Sequence, residues 1–312
     1  MLYAWILFNL FALAALALDL RLTRRRGVAR PRRALILSAI WVGMAGAFAV
    51  FVVFWLGRQV ALEFVTGYLL ELSLSVDNLF LFLVIFRYFA VSEEQQHRVL
   101  TWGILGAMLM RGLFILLGVG LLQRFHWIFY GLGALLIYSG IRLAFTGQHR
   151  VDPSSNLAVK LMRRVVPVTD GSEADRFFVR NWHGKAGLYA TPLFVVLLVI
   201  ETTDLLFAID SIPAVLAITL NAFIVYAANV FAIIGLRSIY FAVSEMMKAF
   251  RFLQKGLALI LVLVGAKMIA ASHFHVPTLA MLCVVAGILG LSMAVSVLFP
   301  GVPAAPADSH KP

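Results

Sequence analysis

The sequence predicts an all-α polytopic membrane protein with about nine transmembrane helices. Three observations carry that expectation. The composition is 62% hydrophobic, the apolar residues fall into segments of 18–30 residues, and Lys and Arg sit on one side of the resulting pattern. Of the 312 residues about 193 are hydrophobic, and a spanning helix needs about 20. Charged residues are only 13%, about half the ~25% of soluble domains. A soluble globular domain, a disordered chain and a secreted disulfide scaffold are thereby excluded. The single cysteine, Cys283, leaves no partner for an intrachain disulfide or a thiolate metal site.

The first apolar segment, 3–20, has no positive region before it. It therefore reads as a span with its N-terminus outside, not as a cleaved signal. The loop 21–33 follows, with Arg21, Arg24, Arg25, Arg26, Arg30, Arg32 and Arg33. Further apolar segments cover roughly 34–57, 61–86, 98–121, 126–145, 189–218, 222–245, 252–272 and 277–299. Their lengths favour helices over barrel strands of about ten residues. If loop 21–33 is cytoplasmic, alternation also puts 87–98, 146–188, 246–251 and the C-terminus inside. Those regions with their flanks hold 20 of the 26 basic residues, while only Arg58 and Arg124 fall outside. That bias fits the positive-inside rule and a bacterial-type inner membrane. It also accounts for most of the +11 net charge without a nucleic-acid partner.

Five regions result. Residues 1–60 form an N-terminal pair of spans around a basic cytoplasmic loop, and 61–145 a first three-span unit. A polar cytoplasmic connector, 146–188, reads as mobile and too short for a domain of its own. Residues 189–272 form a second three-span unit, and 273–312 a last span with a tail.

The two units resemble each other in their polar residues. Glu71-LSLSV-Asp77-Asn78 aligns with Asp204-LLFAI-Asp210-Ser211 at an offset of 133. Arg111 aligns with Arg237 at 126, and Gly131 and Arg142 align with Gly256 and Lys267 at 125. An odd number of spans per unit starts the second copy from the opposite side of the membrane. The sequence thus predicts inverted repeats, with a site at their interface near mid-membrane.

Acidic residues fall at that depth. Glu71 lies ten residues into its segment, roughly 15 Å at 1.5 Å per residue. Asp77, Glu201, Asp204 and Asp210 sit comparably deep. Each central charge costs about 2.5–3.5 kcal/mol to insert, so five unpaired acids would cost more than ~10 kcal/mol. Arg111 and Arg237 are the available internal counter-charges, and a divalent cation would offset much of the remainder. Carboxylates with Asn78, Ser75, Ser211, Thr202 and Thr203 make a hard oxygen donor set, suited to Mg²⁺, Ca²⁺ or Mn²⁺. Residues six apart are rotated by about 240° on a helix. Either the acidic helices are broken, or Asp77 and Asp210 face different neighbours from Glu71 and Asp204. Pro213 favours a break in the second copy.

The segments GYLLELSLSVDNLF (67–80) and ETTDLLFAIDSIPA (201–214), with Arg111-Gly112 and NVFAIIGLRSIYF (229–241), resemble the TerC family of integral membrane proteins. The resemblance covers about 60–270. The family is named for an association with tellurite resistance, and several members are described as manganese exporters similar to the LysE-like group. The resemblance implies export of divalent manganese, with proton or potential coupling. It carries over Glu71, Asp77, Asn78, Asp204, Asp210 and Ser211 as the acidic core.

The resulting expectation is a secondary transporter, not an enzyme, with a divalent cation as substrate and lipid as its surroundings. Its metal-facing residues are Glu71, Asp77, Asn78, Glu201, Asp204, Asp210 and Ser211, with Arg111 and Arg237 pairing charge. No resident cofactor is expected, and oligomeric association is left open. The competing expectation is a membrane scaffold or assembly factor whose buried charges are structural and whose connector docks partners.

Overall fold

The computed structural model describes residues 2–24, 31–125, 127–146, 166–169, 176–182, 185–243, 252–270 and 276–298. Helices α1 (Leu2–Arg24), α2 (Pro31–Leu56), α3 (Arg58–Tyr88), α4 (Glu93–Arg124) and α5 (Ile128–Thr146) come first. A hairpin of β1 (Phe178–Trp182) and β2 (Lys185–Ala190) follows. Then come α6 (Pro192–Leu216), α7 (Ala222–Val243), α8 (Leu253–Ala270) and α9 (Thr278–Leu298). Each apolar segment read from the sequence is matched by one of these helices within a few residues. By length and apolarity, six of the described helices can cross a membrane: α2, α4, α5, α6, α8 and α9. α1 and α7 carry shorter apolar stretches, Tyr3–Asp19 and Ala222–Leu236.

Local chemistry sets the boundaries. One residue separates α2 from α3, and it is Gly57, whose φ of 94° suits a residue without a Cβ. Ser92 caps α4 in a reciprocal capping box with Gln95, and Glu93 and Glu94 occupy the favourable end of the helix dipole. Thr191 caps α6, with Pro192 at the first helical position, where its missing N–H costs nothing.

A hairpin closes the C-terminal end of the polar connector. Phe178 pairs with Ala190 and Val179 with Tyr189 in an antiparallel register. The backbone of Thr169 joins at Ala190, with N–H···O at 2.9 Å. The Phe178 ring packs 4.4 Å from that of Phe194 on α6. The polar stretch therefore ends in a folded clasp that seats the first turn of α6. Residues 147–165, 170–175 and 183–184 of the connector lie outside the described residues.

Large apolar side chains face outward, among them Phe54, Leu109, Phe145 and Leu298. Such a surface is unfavourable in water and ordinary in lipid. The interior is lined by α3, α4, α6 and α7, with α3 packed on α7 and α4 on α6. Aromatic rings of Phe8, Phe48, Phe64, Phe223 and Phe231 tie α1 and α2 to this core. Tyr226 donates to Asn9 Oδ1 at 2.7 Å, closing the polar gap between α7 and α1.

Helices α5 and α8 approach most closely. A Cβ on Gly133 would lie 2.9 Å from the carbonyl oxygen of Gly265, and one on Gly140 would lie 2.7 Å from that of Ala258. A Cβ on Gly265 would lie 2.6 Å from the carbonyl oxygen of Gly133. The backbones touch where side chains are missing, the usual way that membrane helices gain dispersion contact.

Candidate cation site

Three helices bring charge to one point. Arg111 on α4 is 2% exposed and Glu71 on α3 is 1% exposed. Arg111 Nη1 donates to Glu71 Oε2 at 2.7 Å. Its Nη2 and Nε donate to Asp204 Oδ1 and Oδ2 on α6, at 2.8 and 3.1 Å. The guanidinium therefore forks onto Asp204 and reaches Glu71 with its other arm. Charge-assisted, two-pronged geometry of this kind is the strongest pairing available to side chains. It holds two carboxylates from matched positions of the two units against one cation.

The pairing leaves negative charge over. Glu201 stands one turn before Asp204 on the same face, as the i, i+3 spacing expects. Among the described residues, no hydrogen bond or ion pair reaches its carboxylate. The carboxylate lies against Gly103 and Gly106, and a Cβ on Gly106 would collide with it. It faces a cavity bordered by Ser75, Gly103, Ala107, Arg111 and Asp204 and closed by Ile233 and Leu236. The cavity volume is about 30 Å³, room for roughly two waters. With Glu71, Asp204 and Glu201 against Arg111, the site holds three acids and one base.

The remaining residues read from the sequence fall differently. Asp210 turns away from Arg111 and accepts from Ser139 Oγ on α5 at 2.7 Å. This decides the geometry of spacing six: the second acid faces another helix. A broken α6 is overturned, because the helix runs through Pro213 to Leu216. α3 is likewise continuous from Arg58 to Tyr88. Ser211 is 2% exposed, and its Oγ has no partner among the described residues. Thr203 donates to Val199 O, and Thr202 donates to Leu198 O, each at 2.7 Å, so both hydroxyl protons are engaged on their own helix. The side chains of Asp77, Asn78 and Arg237 lie outside the described part. Among the described residues, no group of three or more His, Cys, Asp or Glu stands close enough to hold a metal without help. Arg111 sits between Glu71 and Asp204 and pairs with both.

Sequence reasoning missed Ser139 and Gly106. A serine among apolar residues and a glycine among many glycines carry no signal in one sequence. Only the packing shows that Gly106 makes the seat of Glu201.

Residues 56–302 match the family described as "Integral membrane protein TerC family". The chain belongs to this family. It is 41% identical over 295 residues to the "Uncharacterized membrane protein STKORF319" of Myxococcus xanthus, covering 94% of this chain and 92% of that one. It is 40% identical over 302 residues to a protein of Escherichia coli (strain K12) named "Putative membrane-bound redox modulator Alx", covering 94% and 93% of the two chains. An "Uncharacterized membrane protein" of Rickettsia bellii is 34% identical over 296 residues, covering 95% and 97%. No solved structure matches the chain. As a TerC protein with several apolar helices, it is a multi-pass integral membrane protein.

Proposed function

We propose that this TerC protein is a secondary transporter exporting divalent metal ions, manganese first, through the acidic centre between its two three-helix units. The observation that carries this reading is Arg111 clamped between Glu71 and Asp204. A buried guanidinium there is a removable counter-ion: a divalent cation with the same ligands would satisfy both carboxylates and release the arginine. Glu201, without a partner among the described residues and facing the cavity, is the first carboxylate an entering ion would meet. Hard oxygen donors favour Mn²⁺, Mg²⁺ or Ca²⁺ over Cu(I).

The packing supports inverted repeats. With an offset of 125, Gly133 corresponds to Ala258 and Gly140 to Gly265. The contact of Gly133 with Gly265 therefore maps onto that of Ala258 with Gly140, and both occur. The pairing of α3 with α7 maps onto that of α6 with α4 in the same way. A pseudo-two-fold axis passing between α5 and α8 accounts for both relations. Nine spans, an outside N-terminus and a cytoplasmic C-terminus follow from the basic loops under this reading. Alternating access would come from one unit rocking on the other, with ion and arginine exchanging at the centre.

The redox name of some relatives points to another activity. This chain has one cysteine, Cys283, which is exposed on α9. An intrachain dithiol cycle is therefore closed to it.

The test is cellular Mn, Mg, Ca and Zn content in a manganese-loaded host lacking its own exporter. Wild type is compared with the double variant Glu201→Gln, Asp204→Asn at matched expression. A selective fall in manganese with wild type alone is expected. Equal contents in both strains would overturn the export reading.

A further inference from the structure

Four buried polar side-chain atoms on α3, α6 and α7 are unpaired among the described residues. They are Glu71 Oε1, Ser211 Oγ, and Oδ1 and Nδ2 of Asn229. Asn229 is 1% exposed, two turns into α7. An amide buried in an apolar bundle with neither end satisfied is costly and calls for an explanation.

Helix geometry gives these atoms a common direction. Each residue turns an α-helix by about 100° and advances it by about 1.5 Å. Ile233 and Leu236 of α7 close the Glu201 cavity. Asn229, four and seven residues before them, lies within about 40° of their direction, one to two turns deeper. On α6, Ser211 lies seven residues past Asp204, about 20° from its direction and ~10 Å further along. Gly67 fixes the level of α3, since a Cβ on it would lie 3.0 Å from Val215 on α6 and 3.6 Å from Ala228 on α7. Glu71, one turn on from Gly67, therefore sits at the depth of Ser211 and about one turn from that of Asn229.

We infer that Glu71 Oε1, Ser211 and Asn229 form a second cation station, separated from the Glu201 station by Arg111. The inference rests on the transport reading above and assigns the outer half of the ion path. The two stations differ in chemistry. The Glu201 station is anionic and attracts a cation with part of its hydration. The outer station offers one carboxylate oxygen and two neutral oxygens, a weaker field from which a hard divalent ion can leave. A path needs both, because a site that only binds tightly does not conduct. Asn229 is the residue that distinguishes them, with an acceptor for the ion and donors for the water that accompanies it.

The test uses Asn229→Leu, nearly isosteric and apolar, in purified full-length protein. Two readouts are taken: the rise in unfolding temperature on adding Mn²⁺, and Mn²⁺ flux in proteoliposomes. A ligand role predicts an Asn229→Leu protein at least as thermally stable as wild type without metal, because an unsatisfied amide has been removed. It also predicts a Mn²⁺-induced shift cut by half or more and a half-saturating Mn²⁺ concentration raised about tenfold. Asn229→Asp, which keeps the oxygen, should retain the shift. An Asn229→Leu protein that fails to fold, or one that keeps the wild-type shift and half-saturation, overturns the second station. Wild type that shifts with Mn²⁺ but carries no flux overturns the export reading, and the shift of Asn229→Leu still decides the station.

Discussion

Two places in this molecule join its halves, and they do so by opposite means. At the centre, α3, α4 and α6 meet through charge: one arginine, three carboxylates and a small cavity. Beside it, α5 and α8 meet through the absence of side chains, backbone against backbone at Gly133, Gly140 and Gly265. Under the proposed export, the first contact is rewritten by a mobile ion, with a second cation taking the place of the guanidinium. The second is not, since steric fit has no exchangeable part. The difference suits a rocking machine with a fixed bearing and a centre that changes occupant.

Arg111→Met should give the largest effect. Removing one partner of a buried pair leaves uncompensated charge and costs about 3–5 kcal/mol. A large fall in the unfolding temperature of the detergent-solubilised protein is expected. Added Mn²⁺ should restore part of that loss, and by more than it stabilises wild type. A variant insensitive to Mn²⁺ would break the comparison, since the centre would then hold no exchangeable cation.

Gly265→Ala probes the bearing. A Cβ there meets the Gly133 carbonyl, which cannot swing aside as a side-chain tip would. A loss of about 1–3 kcal/mol is expected for forced overpacking. Thermal unfolding should show the loss, and the preference for Mn²⁺ over Mg²⁺ among surviving transporters should be unchanged. A change in that preference would couple the bearing to the ion.

Gly106→Ala sharpens the contrast, because there a glycine serves the charged centre. The added methyl displaces the Glu201 carboxylate, which sits on a flexible side chain. Stability should change little, while the half-saturating Mn²⁺ concentration should rise about tenfold, a ~1.4 kcal/mol loss of affinity. Ser139→Ala should give the smallest effect. It removes one hydrogen bond to Asp210, about 1 kcal/mol, and should lower the unfolding temperature slightly with near-normal flux.

The sequence made the helices legible because apolar length is a strong signal in a membrane protein. The polar centre was legible for the same reason: Glu71, Arg111 and Asp204 stand out against apolar neighbours, and charge in lipid must find charge. Helical spacing posed the question of Asp210 correctly, but Pro213 gave the wrong answer. A proline three residues from a helix end costs one backbone bond, to the Ile209 carbonyl, and the remaining turn holds. The hairpin at 178–190 was missed because its strands are short and mixed in polarity, and their order comes from docking on Phe194. Asn229 was visible only as part of a family motif. Its burial and unsatisfied amide are tertiary facts.

The most direct measurement is Mn²⁺ flux into a fluorescent-indicator-loaded proteoliposome, comparing wild type with Asp204→Asn and Glu201→Gln. Export through the acidic centre predicts saturable Mn²⁺ flux in wild type and at least a tenfold loss in each variant, with all three proteins folded. Equal flux in all three, or none in wild type, would contradict it.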